Sequence, residues 1–287
     1  MSFKQSTIAF GGYTFPAGFR VVDVETDTII DEVKIPFLDG TSAPIGSRSS
    51  KVIHISGTIG GFGAVDSSGN NIMTSDQADA EFQTMVSYLE SGYQQLSFGQ
   101  SPARYLNAQK RKLLKTALDG AGRRALQVDL ELIAQDPRWL SIAVHTVTPT
   151  LVVGGNATNA VTNAGTAITY PKLTLTCAGS GASIVNPAFE TEDSGGHMIV
   201  DVVLTYTMAP GDTIIIDCDP RNRLNAVQLN GVSRLDLLGT SGITNGAGNS
   251  AMFPYLNPGA GYVVVGTGAG SVLGTSSASV TFQDAWL

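Results

Sequence analysis

At 287 residues, 43% of them hydrophobic and 14% charged, the chain is long enough for two domains and too apolar for disorder over most of its length. Its 17 basic and 24 acidic residues give a net charge of −7, which offers a phosphate backbone little, so nucleic acid is not an expected partner. No apolar run approaches the roughly 20 residues of a membrane helix, and MSFKQSTIAF lacks the basic region and apolar core of a signal peptide, so a cytosolic protein is expected.

The 33 glycines and 12 prolines, with Ser, Thr and Asn throughout, predict short strands joined by many turns and a mainly β class. Ser2 to Ile8 and Phe19 to Val24 read as opening strands, with turns at Gly11-Gly12 and Pro16-Ala17-Gly18. Asp31 to Phe37 and Ser50 to Gly57 follow, Pro36 and Pro44 marking an edge or a loop. Gly60 to Thr74 reads as a surface loop, and its Gly60-Gly61-Phe62-Gly63 stretch lacks the GKS/T ending of a phosphate loop.

One helix is expected, over 75–91. Thr74 or Ser75 would cap it, Asp76 and Asp79 sit at the positive end of its dipole, and Gly92 follows as the C′ residue. Ala78, Phe82, Met85, Val86 and Leu89 form an apolar stripe that must bury itself against a sheet. Gln94 to Phe98 is then a strand, and another begins at Arg104.

Arg104 to Arg124 holds Arg104, Lys110, Arg111, Lys112, Lys115, Arg123 and Arg124 against Asp119 alone, a local +6 in an acidic protein. A nucleic-acid contact would call for interleaved aromatics, and Tyr105 is the single one present. Two readings stay open: a contact that projects toward an acidic surface of a neighbouring protein, and a solvated strand pair around the turn Leu118 to Gly122. From Arg124 to Ile133 apolar and polar residues alternate strictly, as in a strand with one buried side.

Asp136-Pro137-Arg138-Trp139 closes the first domain, and Gly154 to Asn159 has a linker composition. Eight strand-like runs follow, near 151–153, 171–178, 183–185, 199–206, 213–217, 226–229, 262–265 and 279–282, which predicts a β-sandwich of jelly-roll or galectin-like type. Gly239 to Asn249 and Gly266 to Ser277 read as mobile loops. Cys177 and Cys218 lie in apolar runs and are expected as buried free thiols, with a bridge between sheets as the alternative.

Little chemistry is legible. His54, His145 and His197 are isolated, and no catalytic, cofactor or metal residue is assigned. Asp212, Asp217 and Asp219 could hold calcium, but turn shaping with Arg221 or Arg223 as ion partners explains them better. Tyr255 and Tyr262 are the candidates for a sugar-binding platform, and Glu190 and Glu192 read as part of a polar loop.

The order of these motifs resembles the distal tail proteins of long-tailed (siphovirus-type) bacteriophages. It runs from a β domain with one helix, through Arg104-Tyr105, Asp136 to Trp139 and Asn163-Ala164-Gly165 to Pro171, to the Pro210-Gly211-Asp212 hairpin and Phe253 to Gly259. The resemblance implies a tail-tube-like β domain over 1–140 that forms a homohexameric ring, and a galectin-like sandwich over 141–287 facing outward. It implies a structural virion protein of the tail, assembled in the host cytoplasm, that joins the tail tube protein to the tail tip hub or baseplate. Receptor-binding or side-fibre proteins are further partners of that kind. Gly259-Ala260-Gly261 departs from the family's usual Gly followed by Asn. The alternative is a carbohydrate-binding module on an assembly domain, contributing to host-surface recognition through Tyr255 and Tyr262. With no cluster of exposed Trp and Tyr legible in the loops, the expectation is a structural arm that binds no glycan.

Overall fold

Alternation between 124 and 133 has its physical consequence: Leu126, Val128, Leu130 and Leu132 lie in the core while Gln127, Asp129 and Glu131 face away from it. The computed structural model describes residues 7–26, 33–34, 41–42, 50–60, 75–99, 103–120, 123–245 and 253–287. It divides into unit 1, Met1–Trp139, and unit 2, Leu140–Leu287.

Unit 1 begins with β1 (Ile8–Phe10), β2 (Tyr13–Thr14) and β3 (Arg20–Thr26), then a small pair, β4 (Val33–Lys34) and β5 (Thr41–Ser42). β6 (Lys51–Ile59), helix α1 (Ser75–Leu89), β7 (Gln94–Phe98), β8 (Arg104–Gly120) and β9 (Arg123–Ala134) follow. The main sheet runs β2-β1-β7-β8-β9-β6-β3. The α1 stripe packs on its inner face as expected, with Ala78, Phe82, Met85 and Leu89 in one core with Phe10, Ile53, Ile55, Leu96, Leu106 and Leu130. Gly57 is required there, since a Cβ would meet the Phe19 ring at 2.3 Å. The helix ends at Leu89 rather than Ser91, its last turn tightening as Ser91 N donates to Tyr88 O, and Gly92 takes φ +85° as a C′ glycine does. The expected loop over 61–74, the Thr74 and Ser75 caps, Pro36 and Pro44 lie outside the described residues or side chains.

β10 (Trp139–Ser141) leads into unit 2, which continues with β11 (His145–Val147), β12 (Asn156–Asn163), β13 (Lys172–Thr176), β14 (Ile184–Val185) and β15 (Ala188–Glu192). Next come β16 (Met198–Leu204), β17 (Thr207–Met208), β18 (Thr213–Asp217), β19 (Val227–Leu229) and β20 (Val232–Ser233). β21 (Leu238–Asn245), β22 (Gly259–Gly266), β23 (Ser277–Phe282) and β24 (Ala285–Trp286) complete it. A six-stranded sheet, β11-β23-β13-β18-β19-β20, and a five-stranded sheet, β12-β22-β15-β16-β21, share one core. Leu173, Ile214, Ile216 and Val280 of the first meet Phe189, Val202, Leu204 and Val263 of the second, which makes the expected sandwich.

Three sequence expectations are corrected in the five-stranded sheet. Gly154 to Asn159 is not a linker, because β12 starts at Asn156 and pairs with β22 through eight residues. Glu190 and Glu192 are not in a loop but on β15, between β16 and β22. Gly239 to Asn245 continues strand β21 instead of forming a mobile loop, and 246–249 lie outside the described residues. In the same way, 151–153 are not a strand, and the glycine-rich 266–277 segment is tied down by backbone bonds from Thr267, Gly268, Val272 and Thr275. Cys177 and Cys218 are buried free thiols.

Candidate functional site

The basic segment is the whole of β8 and the start of β9. Arg104 to Ala108 pairs with β7, and Gln109 to Gly120 pairs with β9. A bulge between Lys110 and Lys112 reverses which residues face the core, and it sorts the cations onto two faces. Lys110 and Lys115 turn toward the helix: Lys110 Nζ lies 3.1 Å from Glu90 Oε1, and Lys115 Nζ lies 2.7 Å from Asp79 Oδ1 and 4.5 Å from the Phe82 ring centre. Arg111 and Lys112 share Glu131 of β9 at 4.0 and 3.8 Å and are more than half exposed. Arg104 is half-buried, and burial lowers its guanidinium from the ordinary value. The side chains of Arg123 and Arg124 lie outside the described ones.

Among the described side chains, the cations of this segment are therefore not gathered into one patch. The structure presents instead the outer face of β8, β9, β6 and β3, opposite the face that packs on α1. Beyond the bulge, Lys112, Leu114, Thr116 and Leu118 form the outward row of β8, and Leu114 is 50% and Leu118 42% exposed. A groove of about 310 Å³ crosses this face between Leu114 and Val22, with Asp23, Glu25, His54, Asp129 and Glu131 along it. His54 stands opposite Asp23 on one neighbouring strand and Glu131 on the other, its Nε2 3.8 Å from Glu25 Oε1. Ser56 Oγ donates to Asp129 Oδ1 at 2.6 Å. Alternation gives the two faces of a sheet but not which one is covered, so this surface was not legible; its one sequence signal is Leu114 and Leu118 in a row with Lys112.

In unit 2 the aspartates take structural places. Asp212 accepts from Tyr206 Oη at 3.0 Å, Ala209 N at 2.9 Å and Asn230 Nδ2 at 2.9 Å, locking the Pro210-Gly211 turn. Asp219 caps the 3-10 turn Pro220–Asn225 and pairs with Arg221, while Asp217 accepts from Asp219 N and Asn222 Nδ2. Among the described residues no group of three His, Cys, Asp or Glu side chains could hold a metal ion. The histidines are far apart in role: His145 Nε2 lies 3.0 Å from Asp284 Oδ2, whose other oxygen accepts from Ala164 N, and His197 sits beside Asp193 in the β15–β16 turn.

Tyr255 is half-buried next to Leu256, which bonds through its backbone to Thr169 and is buried in the core. Tyr262 stands on β22 opposite Ala160 and Glu192. Glu190 lies opposite Asp201 on β16, so Glu190, Glu192 and Asp201 form an acidic strip across two strands. Burial, then the charges of Glu192 and Asp201, raise the Glu190 carboxyl above the usual range.

No family model matches the chain, and no curated protein matches it by sequence. Among solved structures, it is similar to the Dit protein of phage SPP1, described as a paradigm of the hub adsorption apparatus of phages infecting Gram-positive bacteria. The TM-score is 0.60 at 17% identity, over 99% of this chain and 100% of that one. The baseplate of phage P2 in its activated conformation, with calcium and with strontium, matches with a TM-score of 0.39 at 8% identity, over 92% of this chain and 90% of that one. The chain has the Dit fold along its full length.

Proposed function

We propose that the chain is a structural, non-catalytic virion protein of a phage tail, a distal tail component that joins the tail tube to the tip hub or baseplate. The observation that supports this reading is the likeness to a hub protein over both units and nearly every residue of both chains. In it, residues 1–140 form a homohexameric ring and 141–287 form the outward sandwich. Cyclic closure gives six identical head-to-tail contacts with no free edge. Its partners are the tail tube protein, the tip hub protein and receptor-binding or side-fibre proteins, and its place is the virion tail after assembly in the host cytoplasm.

The open sheet face of unit 1 is the surface we set against a neighbour. It has the composition of an interface, with exposed Leu114, Leu118 and Val22 among polar groups, and the two cations Arg111 and Lys112 steer encounter more than they add affinity. Mass photometry of the purified chain, alone and with its tail tube protein, tests the reading. A six-fold species, or one formed on addition of the tube protein, supports it; a stable two-fold dimer that ignores the tube protein overturns it.

A further inference from the structure

The β19–β20 hairpin turns on two residues, Asn230 and Gly231, between the directly paired Leu229 and Val232. Both take positive φ, +52° and +80°, as an Asn-Gly hairpin turn requires, and both are exposed. Asn-Gly is also the pair most open to an intramolecular reaction, because glycine sets no side chain in the way of its own backbone nitrogen. Space beside Gly231 is open: apart from its chain neighbours, no heavy atom lies within 4 Å of where a Cβ would stand.

Asn230 is held at both ends of its amide. Its Oδ1 accepts from Thr213 N at 2.8 Å and its Nδ2 donates to Asp212 Oδ1 at 2.9 Å, while Asn230 N donates to Thr213 O. The Asp212 carboxylate is itself fixed, its Oδ2 accepting from Tyr206 Oη and Ala209 N. Burial opposes its charge, but the donors from Ala209 N, Asn230 and Tyr206 prevail and hold the carboxyl below the usual range, so this latch stays ionised at neutral pH.

We propose that Asn230 is a site of spontaneous deamidation whose rate is set by the Asp212 latch. When the latch opens, the Gly231 backbone nitrogen loses its proton to hydroxide and attacks Asn230 Cγ. The new N–Cγ bond closes a succinimide ring as the Cγ–Nδ2 bond breaks, and ammonia leaves with a proton taken from water, which restores the hydroxide. Water then adds to one of the ring carbonyls and reopens it to aspartate or isoaspartate, with no change of oxidation state. Either product sets a second carboxylate in front of Asp212 where a donor had been, and isoaspartate adds a main-chain carbon to a loop whose flanking residues are in register. The turn that Asp212 locks thus loosens with the age of the molecule. The inference is independent of the ring assembly proposed above, and its failure would leave that reading untouched.

Peptide mapping by mass spectrometry of the full chain, incubated in mildly alkaline buffer, tests it, with Asn245-Gly246, the other Asn-Gly pair of the sequence, as an internal reference. Aspartate and isoaspartate are expected to accumulate at position 230 in the wild type. Asp212→Ala should speed their appearance there about tenfold, the effect of losing a hydrogen bond to a charged group, and leave the rate at Asn245 unchanged. Asn230→Asp, which carries the aspartate product from the start, should melt below the wild type. No conversion at Asn230 in either protein, equal rates in the wild type and Asp212→Ala, or an acceleration shared by Asn245, which would report general unfolding, overturns the proposal; an unchanged melting curve for Asn230→Asp would sink the loosening of the turn.

Discussion

Lys115 holds its ammonium 2.7 Å from Asp79 and 4.5 Å from the centre of the Phe82 ring, so the middle of the basic hairpin is clamped to the helix. An exposed ion pair contributes about 0.2–1 kcal/mol and a cation over an aromatic face about 0.5–1 kcal/mol. Lys115→Ala should therefore destabilise unit 1 by about 1 kcal/mol, and thermal unfolding should show a melting point lower by about 3–5 °C. A variant that melts with the wild type would mean that the pair contributes nothing.

Arg111 and Lys112 behave differently, because they share one carboxylate and stand in solvent. Reversing both to Glu sets like charges beside Glu131 and should cost unit 1 about 0.5–1 kcal/mol, too little to unfold it, while weakening association with the neighbouring tail protein. Raised salt should weaken the wild-type association in the same direction. Lys110 is left out of this pair because it bonds Glu90 of unit 1, so its reversal would mix folding with assembly. Mass photometry at low and high salt checks it, and assembly unchanged by the double reversal would return these residues to plain solvation.

Phe82 anchors the α1 stripe in the unit 1 core. Phe82→Ala should cost roughly 3–5 kcal/mol by loss of buried surface and the cavity left behind, enough to unfold unit 1 at moderate temperature. Circular dichroism melting of the full chain reads this directly, and an unchanged curve would mean that Phe82 faces solvent.

How far the sequence carried differs between elements for a physical reason. The α1 stripe and β18 (TIIID) declared themselves, because a helical period or an unbroken β-branched run is a one-dimensional pattern. β12 (NATNAVTN) and β15 (AFETE) did not, since one face of each is polar and Asn and Thr occur equally in linkers. Their strand character comes from pairing with β22, a contact distant in sequence. The same limit hid the candidate surfaces: nothing in Arg104–Arg124 shows that the bulge at Lys110 sends Lys115 to the helix and Lys112 to the open face. Between β18 and β19 a 3-10 turn over Pro220–Asn225 leaves Leu224 82% exposed.

The acidic strip of β15 and β16 gives unit 2 an unusual pH response. Like charges directly opposite across strands repel, and Glu190 faces Asp201 with Glu192 on its own strand. Burial first, and then these two charges, hold its carboxyl above the ordinary carboxylate range. A carboxyl whose folded pKa is raised binds its proton more tightly in the folded state, so its stabilising contribution is complete below the unfolded pKa and is lost as pH rises through the folded one. Unit 2 at neutral pH thus carries a repulsion that mild acid relieves, opposite to the effect of Asp212, whose bonds from Ala209 N, Asn230 and Tyr206 outweigh burial and lower its pKa. Glu190→Gln removes the ionisation without changing shape. It should raise the melting temperature at about pH 7, and the difference should shrink toward about pH 4, where Glu190 is protonated anyway. Hydrogen exchange of β15 and β16 across that range localises the effect, and a Glu190→Gln protein less stable than wild type at neutral pH would show that the carboxylate is held by an attraction instead.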